Sequence, residues 1–191
     1  VPRSRQNEVV LIWFDAHGDF HTPETTASGF LDAMALSIIV GHCWETISET
    51  IPGFQPVPEN QVLLIGGRDF EVKEIQRLRA SEVNHLTCVE IQANLEKAVM
   101  KYLHQFPDNI EQVYLHVDLD VHDPDLTPAN QYKPEGGLTP EEVIKIITLI
   151  GDWMPIVGAT LSAYDPDADP EKKGLLAGLD LAEKISLLGT R

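Results

Sequence analysis

The sequence predicts an α/β domain of three layers, with helices on both faces of a mainly parallel sheet. Two observations carry this. Short apolar, β-branched runs alternate with amphipathic or apolar helical stretches, and acidic clusters follow two of those runs, where open α/β sheets hold their ligands. At 191 residues the chain can bury one good core, so residues 1–191 read as a single domain.

The first strand is expected at 8–14, where the polar start Pro2 to Asn7 gives way to the apolar run Val9 to Phe14. Gly29 opens a helical stretch at 29–43, and the Pro-rich segment from Pro52 to Pro58 reads as a surface connection to a strand at 62–66. A helix at 71–81, a strand at 83–88 and a helix at 91–105 follow. The next strand is 113–118. The helix at 140–151 has the best-marked start: Thr139 can cap, Pro140 suits the first helical position and Glu142 completes a capping box, after a flexible turn at Gly136 and Gly137. A strand at 156–162 and a helix at 175–188 complete the order.

Lys and Arg number 14 against 30 Asp and Glu, and the formal net charge of −16 argues against nucleic acid or an anionic membrane as partner. A cationic small-molecule substrate suits that charge. No apolar run is long enough for a membrane helix and none resembles a signal peptide, so the expected setting is cytoplasmic. Cys43 and Cys88, apolar in context and without CxxC spacing, read as reduced core thiols.

The chemistry concentrates in two clusters, Asp15, His17 and Asp19 in WFDAHGDFHTPETTASG, and Asp118 and Asp120 in YLHVDLDVHDPDLTP. Residues two apart on a strand share a face, so each cluster can project its ligands one way. Converging carboxylates repel and become tolerable only with cations among them. Imidazole and carboxylate donors without thiolate favour Mn, Fe or Zn, and the oxygen-rich balance leans to Mn. A pair of bridged ions would hold a hydroxide ready to attack an electrophilic carbon.

These motifs resemble the ureohydrolase family of arginase, agmatinase and formimidoylglutamase. Asp15 to Asp19 with Thr22, Pro23, Thr25, Thr26, Ser28 and Gly29 is similar to the stretch DAHxDxxTPxTTxSG. Asp118 to Pro124 with Pro128, Ala129, Gly136, Gly137, Leu138 and Thr139 is similar to DVDxxDPxxxPAxxxxxxGGLT. The resemblance implies an arginase/deacetylase-like fold and a binuclear Mn site with Asp15 and Asp118 bridging, His17 and Asp120 on one ion and Asp19 on the other. It also implies substrate contacts from Thr26 and Ser28, from His21 where the family has Asn, and from Glu71 where it has Asp. Trimers or hexamers are implied as the assembly.

The chain departs from the family in several places. No Gly-Gly-Asp-His segment, source of a further metal-ligating His, precedes Asp15, and the chain starts at Val1, so an N-terminally truncated domain holding one ion or none is expected. Asp32 stands where arginases have a proton-shuttling His; it can relay protons or start a helix. Ala163 stands where the family has a Glu that grips the guanidinium, and Asp165 reads as part of an Asp-Pro turn. His122 is a candidate support for the ligands, whereas His42, His85, His104 and His116 read as helix-end, surface or core residues. Asp165, Asp167 and Asp169 mimic the start of an EF-hand loop but lack its Gly and closing Glu, and read as an acidic surface turn.

The function that follows is metal-dependent hydrolysis of a C–N bond in a guanidino or amidino compound by metal-bound hydroxide. The alternatives are a deacetylase-like amidohydrolase, or an inactive structural or regulatory protein on the same fold.

Overall fold

The computed structural model describes residues 9–189. A five-stranded sheet forms from β1 (Val9–Phe14), β2 (Val62–Ile65), β3 (Asn84–Leu86), β4 (Gln112–Asp118) and β5 (Ile156–Ser162), in the order β3-β2-β1-β4-β5 with every pairing parallel. The polar start and Glu8 lie outside the described residues.

β1 is buried on both faces and alternates between two cores. Val10, Ile12 and Phe14 join Leu115, Val117 and the apolar faces of α5 (Leu95–Leu103), α6 (Pro140–Trp153) and α7 (Lys173–Gly189). Leu11 and Trp13 point the other way, to Leu36 of α1 (Ala35–Ile39) and Leu78 of α3 (Val72–Ala80). Period-two side chains between helical layers give the three-layer architecture. The chain leaves β1 toward β2 and β3, then returns to build β4 on the opposite edge of β1. The order therefore reverses between β1 and β4, which opens a crevice at their carboxyl ends.

Several elements differ from expectation. The helix expected at 29–43 shrinks to a 3-10 turn at Asp32–Met34 and α1, because Gly29 (φ 74°) and Gly41 (φ 83°) sit in the left-handed region that interrupts a helix. Between them Phe30 and Leu31 are left exposed. A short helix, α2 (Glu45–Ser48), follows. The helix expected at 91–105 is two: α4 (Cys88–Ala93), closed at its start by a Thr87/Glu90 capping box, and α5, capped by Asn94 at an extended φ of −167°. Cys88 is consequently half-buried at a helix start, packed against the main core, while Cys43 is buried; both are free thiols.

The capping box on α6 forms as expected, Thr139 Oγ1 accepting from the Glu142 amide at 3.2 Å and the Glu142 carboxylate from the Thr139 amide at 2.8 Å. Thr139→Ala is expected to cost about 1 kcal/mol, or roughly 2–4 °C in thermal midpoint, read by far-UV circular dichroism. The glycine turn before it is tightly held: a Cβ on Gly137 would lie 2.6 Å from the His122 carbonyl carbon, where the chain bridges His122 to Leu138.

Candidate active site

The first acidic cluster sits just beyond β1, whereas the second begins on the last residue of β4, Asp118. β1 ends at Phe14, and Asp15 accepts the His17 amide at 2.7 Å through Oδ1 in a turn of its own making. Asp19 is in the left-handed region at φ 50°. β4 ends at Asp118, whose Oδ1 accepts from the Asp120 amide at 2.9 Å as the chain enters a 3-10 turn at Leu119–Val121. The expected convergence is present, but Asx-type turns, not strand alternation, aim most of the side chains.

The clusters meet directly. Asp120 accepts the Ala16 amide at 3.1 Å through Oδ1, and its Oδ2 lies 3.2 Å from His17 Nδ1, which is 3.4 Å from Asp15 Oδ1. Trp13 Nε1 donates to Asp15 Oδ2 at 3.0 Å. Two groups offer ligand atoms within 4.8 Å of one another, Asp15 with His17 and Asp120, and Asp15 with His116 and Asp118. Asp19 lines the same cavity and belongs to neither group. Arg68 holds the β4 turn from behind, donating to the carbonyls of Asp120 (3.0 Å), His122 (3.1 Å) and Val121 (3.3 Å).

Electrostatics expose the strain of this arrangement. Burial raises Asp15 to about 6, and burial with the charges of Asp15 and Asp120 raises Asp118 to about 9. Asp19 is pushed well up by burial and by Asp15, Asp32 and Asp118. Asp120 goes the other way: burial opposes its charge, but the hydrogen bond to His17 prevails and holds it at about 2. His17, disfavoured by burial, is nonetheless raised to about 11 by Asp120 and Asp15. One imidazolium thus faces several carboxylates, and three of them cannot ionise freely. Oxygen and imidazole donors with an unmet demand for positive charge suit divalent cations, so the residues present fit the metal that the sequence implies.

A cavity of about 560 Å³ opens above the clusters. Its wall includes Asp32, Asp69, Glu71, Glu74 and Asp165, with no Lys or Arg among the described residues that line it. His21, Thr26, Ser28 and Glu71, the expected substrate contacts, all line it. His21 Nε2 stands 3.7 Å from Glu71 and 3.6 Å from Glu74. The Thr26 and Ser28 oxygens accept from the amides of Gly29 and Phe30, each at 3.1 Å, and stand 3.4 Å from each other, so one hydroxyl donates to its neighbour and the other keeps a proton to donate elsewhere. Ala163 also lines the cavity, at φ 61°.

Several residues escaped sequence reasoning. Glu74 is buried on α3 and accepts the Phe20 amide at 3.0 Å; its helical position gave no signal. Asn130 donates to Asp120 and to the Ala163 carbonyl, at 3.4 and 3.3 Å. His116, read as a helix-end, surface or core residue, lies against the acidic group, and its spacing two before Asp118 was the available signal. Burial lowers it to about 4, so its ring is neutral near physiological pH. His122 is buried behind the turn, its Nδ1 2.8 Å from the Leu119 carbonyl, and does not line the cavity. Asp169 corrects the reading of an acidic surface turn: it is buried, and its carboxylate anchors α7 by accepting from the amides of Lys173 (2.8 Å) and Leu175 (3.0 Å).

Comparison with known proteins bears on the family and the fold. The family model described as the Arginase family matches residues 1–187. An N(omega)-hydroxy-L-arginine amidinohydrolase of Streptomyces lavendulae is 32% identical over 165 residues, 86% of this chain and 55% of that protein. An arginase of Staphylococcus aureus (strain COL) is 32% identical over 186 residues, 96% of this chain and 59% of that protein. The crystal structure of Bacillus subtilis arginase superposes with a TM-score of 0.87 at 26% identity, covering 96% of this chain and 63% of that one. The chain thus spans about half to three fifths of the length of the curated relatives it matches.

Proposed function

The chain belongs to the arginase family, and from that membership and the acidic end of its sheet we propose that it acts as a metal-dependent ureohydrolase on a guanidino or amidino compound. The observation that carries the reading is the cavity itself: carboxylates of both clusters at its floor, further acids on its wall and no Lys or Arg among the described residues that line it. Such a wall draws in a cation and repels an anion.

Asp15, His17, Asp19, Asp118 and Asp120 would hold the metal, with Mn favoured by the oxygen-rich donor set. Bound divalent ions supply Lewis acidity and a water acidic enough to act as nucleophile near neutral pH. The remaining work falls to the chain. The acidic floor and wall place a planar cation with its central carbon toward the clusters. His21, Glu71 and Glu74 form a second polar station, suited to an ammonium on the far end of the substrate, and of the hydrogen-bonded Thr26 and Ser28 pair one hydroxyl remains to donate to an acceptor there. Asp32, exposed on the cavity wall, would pass a proton between cavity and solvent as the C–N bond breaks and the departing nitrogen is protonated.

The same reading takes residues 1–191 as one domain. Its assembly would be a trimer or hexamer, supported by the family likeness, and its setting cytoplasmic, supported by the two free thiols. The test is release of urea or amine, with and without added Mn, from L-arginine, agmatine, guanidinobutyrate, formiminoglutamate and N(omega)-hydroxy-L-arginine. Chelator-sensitive hydrolysis of one of them is expected; none from any, with Mn supplied, would refute the proposal.

A further inference from the structure

We propose that His116 is a metal ligand of this chain, forming with Asp15 and Asp118 a second coordinating set that shares Asp15 with the set made by His17 and Asp120. The inference rests on the metal-dependent reading above, and it assigns a role to a histidine on the sheet itself.

The placement follows from the strand register. On β4, Tyr114, His116 and Asp118 lie on one face, and β1 pairs with β4 so that Trp13 stands beside His116. Asp15, two residues beyond Trp13, therefore comes level with Asp118. The ligand atoms of Asp15, His116 and Asp118 all lie within 4.8 Å of one another. Donors on a common ion at about 2.1 Å stand within about 4.2 Å of each other, so small side-chain adjustments bring the three around one cation. Among the described residues, His116 forms no ion pair with either carboxylate, and the gap is one that a cation would bridge.

The ring is also held as a ligating histidine needs to be. It stacks on Trp13, with centroids 3.6 Å apart and planes 18° from parallel, and its Nε2 lies 3.3 Å from Ser162 Oγ on the next strand. A hydrogen bond to one ring nitrogen and a packed face orient an imidazole and fix its tautomer. Trp13 Nε1 meanwhile donates to Asp15 Oδ2, so one indole positions two members of the set. A histidine kept only for packing would share the stacking and the serine but would have no reason to face two carboxylates. Asp15 is common to both sets, so the chain would offer ligands for two ions, one imidazole to each, where one ion or none was expected.

The experiment is a Co²⁺ titration of the chain and of His116→Ala, His116→Gln, His17→Ala and Asp15→Asn. It is followed by bound metal after gel filtration, visible absorption, and the hyperfine-shifted exchangeable imidazole N–H signals in proton NMR. The chain is expected to bind two Co²⁺ and to show two such signals. His116→Ala should lose one ion and one signal, weakening one site by at least about a hundredfold. His17→Ala should lose the other, and Asp15→Asn should impair both. His116→Gln retains bulk under Trp13 and guards against a folding defect, which circular dichroism would reveal in the alanine variant. Two ions and two signals kept in both His116 variants would overturn the assignment while leaving the ureohydrolase reading intact. No Co²⁺ bound by the unaltered chain would overturn both; Co²⁺ bound as described without hydrolysis of any compound in the panel would overturn the function alone.

Discussion

Metal-free protein will lose thermal stability as the pH rises from about 5 to about 9, and Mn²⁺ will restore much of it at the alkaline end but little at the acid end. Asp15 and Asp118 are acids whose folded pKa values, about 6 and about 9, lie above the ordinary carboxylate range. The folded chain therefore keeps protons that the unfolded chain gives up. Their stabilising effect is complete below about pH 4 and is lost as the pH climbs to and through those values. His17 slopes the same way: raised to about 11, it stabilises fully below its unfolded pKa of about 6.5 and loses that contribution as pH rises through the folded value. Asp120 is the opposite case, held at about 2, so its contribution is already complete above about pH 4 and stays constant across the range. Each group that releases its proton only on unfolding removes up to about 1.4 kcal/mol per pH unit within its window. Metal binds the deprotonated ligands and so stabilises most where those protons are lost. A difference on the order of 10 °C between the two pH values in chelator, narrowed by Mn²⁺, is the expected result of scanning calorimetry. A midpoint that is flat or rising in chelator would mean that groups of the protein itself compensate the carboxylates.

The sequence made the strands and the ligand clusters legible because both obey local rules. Val9 to Phe14 and Val113 to Val117 are too apolar and too β-branched to be anything but buried strands, and acids at their carboxyl ends fall where a parallel sheet opens. The segment from Gly29 to Cys43 was less legible, since its composition permits a helix and only the tertiary path decides that Gly29 and Gly41 break it. Asn94 is a local signal that the expected single helix passes over: its side chain caps at the Lys97 amide and divides α4 from α5. His116 shows the limit of reading histidines singly. Alone in an apolar strand it is an ordinary core residue, and only the register that sets Trp13 beside it brings Asp15 within reach. Arg68 is similar, because a cation bonding a row of carbonyls across the turn at Asp120 to His122 has no sequence signature.

L-Arginine is expected to be a poor substrate even for an intact, metal-loaded protein. The cavity lining presents Ala163, a methyl group at a left-handed φ of 61°, where the family resemblance places a carboxylate for the guanidinium. A charge-assisted hydrogen bond of that kind contributes roughly 1.5–3 kcal/mol, about ten- to a hundredfold in rate or affinity. Asp32 in place of a proton-shuttling imidazole adds a further loss, since a positioned acid or base typically supplies ~10² to 10⁴ in rate. The Asn130 side chain, bonded to the Ala163 carbonyl, keeps that backbone in place, so Ala163→Glu would carry its carboxylate on a segment already ordered. Steady-state urea release should show kcat/KM for L-arginine rising at least about tenfold in Ala163→Glu, with smaller change for a substrate that lacks the full guanidinium. Turnover of L-arginine by the unaltered protein near the median enzyme rate of about 10 per second would overturn the expectation. The guanidinium contact would then fall to Asp165, which lines the same cavity and spends Oδ1 on the Asp167 amide while Oδ2 remains to accept.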